Sequence, residues 1–255
     1  MDTPILHHYA GSPFAEKIRL ILGYKAIPWR SVIVPPIMPK PDLVALTGGH
    51  RRAPTLQIGA DIYCDTALIA RRLEQWQPTP TLYPAGAPLA PLLAQWADST
   101  LFWTVIPFTM RPETLPQILG GAQPGALKAF GADRAAMTAG FKRINTTDAK
   151  AQLPGYLAAL AAQLADGRNW LFGDQPSIAD FSVAHSLWFI RRAPLLGVFD
   201  PHPALKAWLE RVLALGHGVH ETMDSVQALV VAASAHGHAP TAVQPDQGFQ
   251  PGQAV

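Results

Sequence analysis

The stretch HHYAGSPFAEKIRLIL, residues 7–22, joins an apolar run typical of a strand to an apolar run typical of a helix. Between the two runs lies a polar corner, in which Ser12 is followed by Pro13 and Phe14. Serine is favoured at the N-cap of a helix and proline at its first position, so the corner predicts a helix over residues 13–24. Ser12 either only caps this helix or also presents its hydroxyl to a molecule bound at the positive end of the helix dipole.

Strand and helix patterns alternate on both sides of this corner. Strand patterns occur at residues 4–9, 29–34, 54–59 and 61–64, and a second helical pattern follows at 65–76. The last two strands flank Gly59-Ala60-Asp61, which is a hairpin signal. This order predicts a small, four-stranded mixed sheet with helices packed on it.

A proline-rich segment, QPTPTLYPAGAP at residues 77–88, separates this section from one of different character. Proline removes a backbone donor and biases the preceding residue away from helix, so the segment predicts a linker. The section beyond it shows mainly helical patterns, at residues 91–108, 153–167, 177–193, 203–216 and 221–235. Ser177 and Asp180 have the spacing of a capping box at the start of one of these helices.

We therefore predict three parts: an α/β domain at residues 1–80, an all-helical domain at 88–235 and a flexible tail at 236–255. The tail is rich in proline, glutamine and glycine and too poor in apolar residues to form a core.

Composition excludes several classes of protein. The formal net charge of +2 and the lack of a long basic block argue against nucleic acid or an anionic membrane as the main partner. The single cysteine, Cys64, excludes an internal disulfide and a Cys-x-x-Cys redox pair. A strand pattern begins by Ile5, which leaves no room for a signal sequence, and no apolar run reaches about 18 residues. These features predict a soluble, cytoplasmic protein.

Two further motifs suit the same ligand as the corner at Ser12. In HRRAPTL, residues 50–56, Pro54 begins a strand, and a cis bond before it would turn the backbone of Ala53 outward to pair with an extended peptide. In CDTALI, residues 64–69, Asp65 and Thr66 open a helix whose free N–H groups suit a carboxylate, while Asp65 can pair with an ammonium. A ligand with a thiol, a peptide backbone, and both a carboxylate and an ammonium at one end fits all three motifs. Glutathione has these groups.

These motifs resemble, in the same order, those of the cytosolic glutathione transferases, over about residues 4–235. SPFAEKIRLIL is similar to the Ser-Pro-Phe start of Tau-class enzymes and the Cys-Pro-Phe start of Omega-class ones. HRRAPTL resembles the family's His-Lys-Lys-x-Pro-x-Leu, and CDTALI resembles Glu-Ser-x-x-Ile with Asp and Thr in place of Glu and Ser. PSIADFSVA is similar to the capping motif of the family's helical domain.

The resemblance implies a thioredoxin-like βαβ-ββα N-terminal domain followed by an all-helical C-terminal domain, usually in a homodimer. It also implies glutathione as co-substrate, no metal, and a role in detoxification. Ser12 matches the hydroxyl that hydrogen-bonds the glutathione sulfur, and Arg52 and Lys40 match basic residues near the glycyl carboxylate. The implied glutathione-binding residues are Ser12, Phe14, Lys40, Arg52, Ala53, Pro54, Asp65 and Thr66.

The predicted reaction is attack of the glutathione thiolate on a small, apolar electrophile. A thiol is mostly protonated at neutral pH, and a donor to its sulfur at a helix end stabilises the thiolate. Ser12 would supply that donor without becoming a covalent nucleophile. A glutathione-dependent isomerase or dehalogenase shares this first site, and a non-catalytic binding or assembly module is the alternative from another class.

Other side chains have two interpretations. Tyr9 is a second candidate donor, although counting back from Arg19 places Ser12 at the family's serine position. Tyr9, Phe102, Trp103 and Phe108 either line a co-substrate pocket or belong to the core. Paired histidines, at 7 and 8 and at 217 and 220, have no carboxylate or cysteine cluster beside them, so no metal site is predicted.

Overall fold

A computed structural model describes residues 2–120, 123–193, 196–239 and 248 of the chain. β1 pairs in parallel with β2 and antiparallel with β3, and β3 pairs antiparallel with β4. The predicted order of strand, helix, strand, hairpin and helix is confirmed. A short helix, α2, is added between β2 and β3, and the sequence pattern does not predict it because it begins at Pro41, within the proline-rich residues 34–42. The elements of this half are β1 (Ile5–His8), α1 (Pro13–Tyr24), β2 (Trp29–Ile33), α2 (Pro41–Thr47), β3 (Thr55–Ile58), β4 (Asp61–Cys64) and α3 (Thr66–Trp76).

The following residues are mainly helical, as predicted, although some boundaries differ. α4 and α5 form one long helix, interrupted by a single π-helical turn at Ala97–Leu101. α8 begins at Thr146, well before the predicted start, because Asn145 caps it by accepting from the backbone of Asp148 at 2.8 Å. The helices α6 and α7 are not predicted. The elements are α4 (Ala90–Trp96), α5 (Phe102–Thr109), α6 (Leu115–Ile118), α7 (Pro124–Met137), α8 (Thr146–Gln163), α9 (Ile178–Arg191), α10 (Pro203–Leu213), β5 (His220–Thr222) and α11 (Ser225–Ser234).

The strand β5 corrects the prediction of a four-stranded sheet. It pairs in parallel with β2 at the sheet edge, so the order is β4-β3-β1-β2-β5. The predicted helix at 221–235 therefore starts too early: Asp224 caps α11, accepting from the Gln227 backbone at 2.7 Å. A strand of three exposed residues is too short to show an alternating pattern. The loop before it passes so close to α1 that a Cβ at Gly23 would lie 2.2 Å from the Gly216 carbonyl oxygen.

Each face of the sheet has its own apolar core. On one face, α1 packs against α3 and against the central helix α9. On the other face, α2 and α11 cover Ile5, Val32 and Val34. Gln57, fully buried, donates from Nε2 to the carbonyl of Ala228 in α11 at 2.8 Å. The end of the chain thus completes the N-terminal sheet, and the division at residues 80 and 88 stays a prediction.

The predicted tail lies mostly outside the described residues. Its first residues contact β4, where Asp61 accepts from the Ala239 backbone at 2.7 Å and lies 3.0 Å from His238 Nδ1. Of the remainder, only residue 248 is described. In the part of the chain that the structure describes, no helix has the length and apolar character needed to cross a membrane.

The start of α9 is held by a buried carboxylate. Asp180 Oδ2 accepts from the backbone N–H and the hydroxyl of Ser177 at 2.8 and 2.9 Å, as the capping-box spacing predicts. Its Oδ1 also accepts from the Leu171 backbone and from the Trp208 indole in α10, both at 2.9 Å. Asp180 therefore joins three segments as well as starting a helix.

Replacing Asp180 by Ala should lower the free energy of unfolding by about 3 kcal/mol, because buried donors lose their acceptor. The control is Asp224→Ala, which removes an exposed N-cap and should reduce stability by about 1 kcal/mol. Urea unfolding measures both. Equal losses in the two variants would show that Asp180 acts only as a cap.

Candidate functional site

A cavity of about 530 Å³ lies between the α/β half and the helical half of the chain. Its volume is within the range of small-molecule sites. The α/β half contributes most of the residues that the sequence predicts to bind glutathione, and the helical half contributes an apolar wall. The exception is Pro54, which is buried at the start of β3 and does not line the cavity. The predicted residues that line it are Tyr9, Ser12, Phe14, Lys40, Arg52, Ala53, Asp65, Thr66, Phe102 and Trp103.

Ser12 is the N-cap of α1 at the edge of this cavity. Its Oγ accepts from the backbone N–H of Ala15 at 3.2 Å, so one lone pair is used for capping. Because a hydroxyl also carries one proton, Ser12 can cap the helix and donate to a ligand at the same time. Pro13 has no N–H, the N–H of Ala15 donates to Ser12 Oγ, and the N–H of Glu16 donates to the Ser12 carbonyl. This leaves the N–H of Phe14 as a further donor at the helix end.

A buried network holds the loop between β1 and α1. Arg19 donates to the carbonyls of Tyr9 and Ala10 at 3.4 and 3.2 Å, and it pairs with Glu16 at 2.5 Å. The same guanidinium donates to His8 Nδ1 at 2.9 Å, so the other ring nitrogen of His8 carries the proton and donates to Ser31 Oγ at 2.9 Å. Burial, reinforced by Arg19, lowers the pKa of His8 to about 3. His8 is therefore neutral at physiological pH.

Asp65 has an unusual backbone at the start of α3. Its φ of 78° is in the left-handed region, which is costly for a residue with a side chain and is often found at functional sites. Its Oδ1 caps α3 by accepting from Ala67 and Leu68 at 2.7 and 3.4 Å. Thr66 beside it is buried, and its hydroxyl accepts from Lys17 at 3.4 Å.

Lys17 links this corner to the helical half. Its ammonium is fully buried and lies 2.5 Å from Asp98 in the π-helical turn, whose other oxygen is 2.9 Å from His185 in α9. Burial disfavours the Asp98 carboxylate, but Lys17 and His185 outweigh it and hold its pKa at about 2. The charges in this network are paired, so we take it as a structural link between the two halves. Sequence reasoning missed it, since the partners are far apart in the chain.

The loop before β3 brings basic groups to the cavity. The Ala53–Pro54 bond is cis, which is the geometry that would turn the Ala53 backbone outward. Lys40 donates to the Arg51 carbonyl at 3.2 Å, and its ammonium lies 5.9 Å from the centre of the Tyr9 ring. Burial, followed by the nearby Arg134 and Arg51, lowers the pKa of Lys40 to about 8.

Helix α7 lines another side of the cavity and is bound to the loop after β2 and the loop before β3. Its Asp133 accepts from the Arg51 guanidinium and, at 3.2 Å, from the Met38 backbone. Arg134 donates to the Pro36 carbonyl and stacks over Phe130, with its guanidinium carbon 4.6 Å from the ring centre. The sequence offers no pattern for these contacts, because α7 buries few side chains and has a weak apolar stripe.

The apolar wall comes mainly from α5, but Phe108 is not part of it. Phe102, Trp103, Ile106 and Met110 line the cavity at spacings of one, three and four residues, which places them on one helical face. Phe108 lies two residues from Ile106 and faces away from this cavity, under the Arg111 guanidinium at 5.2 Å, so it is not among the residues that line it. Phe14 packs between Phe102 and His185, with ring centres 4.6 and 4.7 Å away.

The other candidates have structural environments. Burial raises the pKa of Cys64, which disfavours a reactive thiolate. His7 bonds to Gln57 at 2.8 Å, and His217 lies 3.1 Å from Glu16. Within the described residues, no group of three or more His, Cys, Asp or Glu side chains is arranged to hold a metal ion.

Comparisons with known proteins identify the same two halves. Residues 6–81 match the family described as glutathione S-transferase, N-terminal domain, and residues 94–211 match glutathione S-transferase, C-terminal domain. No curated protein matches the chain. A GST-like protein from Pseudomonas syringae is 44% identical over 98% of this chain and 82% of its own, with a TM-score of 0.80.

Two further solved structures are more distant. A glutathione S-transferase from Rhodospirillum rubrum F11 is 25% identical over 83% of this chain and 88% of its own, with a TM-score of 0.59. A glutathione S-transferase from Methylobacterium radiotolerans, in complex with glutathione sulfonate, is 22% identical over 86% of this chain and 97% of its own, with a TM-score of 0.54. The second of these supports the fold alone. The fold class predicted from the sequence is confirmed.

The neutral, buried His8 should make stability depend on pH. Its pKa is about 3 in the folded protein and 6.5 in the unfolded chain, so the unfolded chain binds the proton between these values and folding weakens as the pH falls. His8 alone should account for a loss of about 2 kcal/mol between neutral pH and about pH 5. Urea unfolding of His8→Gln, whose side chain does not titrate, should show a weaker pH dependence by that amount. The exposed His236→Gln serves as control; an unchanged pH dependence in His8→Gln would contradict the assignment.

Proposed function

Because the chain belongs to the glutathione S-transferase family, we propose that it catalyses attack of the glutathione thiolate on a small, apolar electrophile. The observation that carries the proposal is the position of Ser12. Its hydroxyl stands at the positive end of α1, at the edge of a cavity whose far side is an apolar wall. Such a site stabilises a thiolate and leaves room for an apolar co-substrate beside it.

We propose that glutathione lies in the cavity in the orientation that pairs its charged groups and its peptide backbone with the residues predicted to bind them. We place the sulfur at Ser12, the cysteinyl backbone at Ala53, and the γ-glutamyl group at Asp65 and Thr66. The glycyl carboxylate then lies near Lys40 and Arg52, both of which line the same cavity. The positive φ of Asp65 supports this placement, because it turns a carboxylate-bearing corner into the cavity at the start of a helix.

The reaction requires a thiolate at neutral pH. Donation by the Ser12 hydroxyl, the Phe14 N–H and the α1 dipole all favour the charged sulfur, so the pKa of the bound thiol falls. The sulfur then forms a bond to the electrophilic carbon, and the leaving group departs with its electron pair. Ser12 remains a hydrogen-bond donor throughout.

Two finer assignments belong to this proposal. We propose a homodimer, supported by the exposed side chains of Leu68, Leu89 and Leu92 at α3 and α4. We also propose detoxification of electrophiles as the biological role. An isomerase or dehalogenase reaction would use the same sulfur site and differ only in the co-substrate. A non-catalytic module would bind glutathione but turn over no member of an electrophile panel.

Ser12→Ala tests the proposed role of the hydroxyl. The variant should fold with a loss of roughly 0.5–2 kcal/mol from the lost cap, while the pKa of bound glutathione rises and the conjugation rate at neutral pH falls at least about tenfold. Ultraviolet absorbance of the thiolate, followed against pH, measures the pKa. Asp224→Ala is the matched control, since it loses a helix cap on the far face of the sheet. Superimposable titration curves for wild type and Ser12→Ala would mean that Tyr9 or a backbone amide is the donor.

Asp65→Ala tests the γ-glutamyl site. Losing a charged partner for the ammonium should weaken glutathione binding by roughly 1–3 kcal/mol. Asp65→Asn keeps an oxygen that can cap α3 but removes the charge, so it separates the two roles of this residue. Calorimetric titration of glutathione measures both variants. Unchanged affinity in Asp65→Asn would show that Asp65 serves only as the cap.

A further inference from the structure

The cavity is more basic than its glutathione site requires. Among the described residues, five cationic side chains line it, whereas the carboxylates that line or border it are already engaged. Asp98 is paired with Lys17, Asp133 with Arg51 and Arg134, and Asp65 caps α3. The cations are Lys40, Arg51, Arg52, Arg134 and Arg143.

These cations differ in how far they are neutralised. Arg51 and Arg134 share Asp133, and the proposed function uses Lys40 and Arg52 for the glycyl carboxylate. Arg143 is exposed and lines the cavity, yet it forms no ion pair with any residue that the structure describes. It is therefore the cation that remains for a second anion.

Arg143 lines the cavity and is close in sequence to an aromatic residue that contacts the apolar wall. It follows Phe141, whose ring centre lies 5.9 Å from that of Trp103 in α5. Phe141 also contacts Arg52, whose guanidinium carbon lies over the ring, 5.3 Å from its centre. Phe141 thus contacts both Arg52, at the glycyl end of the proposed glutathione site, and the apolar wall, and Arg143, two residues further along the chain, lines the same cavity.

From this juxtaposition we infer that the co-substrate is an aromatic or otherwise apolar electrophile carrying a carboxylate or similar anionic group. Its apolar body packs on the rings that line the wall, and its anion pairs with Arg143, whose planar guanidinium suits a carboxylate. The inference rests on the proposed function and adds the class of electrophile. The rings on the helical side of the cavity include those of Phe102, Trp103, Phe130, Phe141 and Phe189.

A matched pair of electrophiles tests the inference. The first is chlorodinitrobenzoate, with chlorine para to the carboxylate and a nitro group on each side of the chlorine; the second is the corresponding benzamide. In both, the thiolate sulfur forms a bond to the ring carbon and chloride leaves with the electron pair of the broken bond. Dividing each kcat/KM by the rate of the spontaneous reaction with glutathione removes the difference in intrinsic reactivity.

The wild type should prefer the benzoate by about tenfold, the size expected of a partly exposed charged hydrogen bond. Arg143→Gln should abolish this preference, and Arg143→Lys should keep part of it. Lys142→Gln is the control, because it removes the neighbouring cation, which does not line the cavity. Added salt should reduce the preference of the wild type, since the charge is exposed.

Three results would overturn the inference. One is a wild type that conjugates both compounds without preference, and another is an equal loss of preference in Arg143→Gln and Lys142→Gln. The third is weaker glutathione binding by Arg143→Gln in calorimetry, which would place Arg143 at the glycyl carboxylate. A wild type that binds no glutathione would overturn the proposed function itself, and this inference with it.

Discussion

The ammonium of Lys17 is buried in the N-terminal half, where an unpaired charge would be strongly destabilising. Its partner, Asp98, comes from the helical half, and Asp98 is in turn bound by His185 of the central helix α9. The two halves must therefore dock in one arrangement for either charge to be neutralised. That arrangement also fixes the cavity, because Lys17 contacts Thr66 and His185 packs against Phe14.

The two sides of the cavity have different physical tasks. On the side of the sheet, donors at helix ends and basic side chains are held by buried networks, such as that of Arg19, Glu16 and His8. On the helical side, aromatic rings supply an apolar surface. Asp133 binds α7 to the sheet side of the cavity by accepting from the Met38 backbone and the Arg51 guanidinium. Fixed polar groups suit glutathione, which is the same in every reaction cycle. An apolar surface with few polar contacts suits the electrophile, whose body is apolar.

The parts of the molecule that the sequence predicts are those with local signals. α1 begins and ends where Ser12, Pro13 and the apolar spacing indicate, and Asp180 occupies its predicted cap. Helix α7 and strand β5 escape prediction, because their positions depend on contacts with distant parts of the chain. The same holds for the Lys17–Asp98 pair and for the pairing of Arg51 and Arg134 with Asp133. The position of Phe108 could have been predicted from the sequence. It lies two residues from Ile106, which places the two side chains on opposite faces of the same helix.

Strand β5 and helix α11 have a consequence for how the chain is made. Residues 1–66 contain the proposed glutathione contacts, but the outer edge of β2 pairs with β5, and α11 joins α2 in covering the apolar residues Val32 and Val34. During synthesis the N-terminal strands are made first, with one sheet edge unpaired and one face only partly covered, while the entire helical half is translated. Because β5 and α11 follow α10 in the chain, a chain cut after α10 carries the proposed glutathione contacts on a sheet that lacks its edge strand and one of its covering helices.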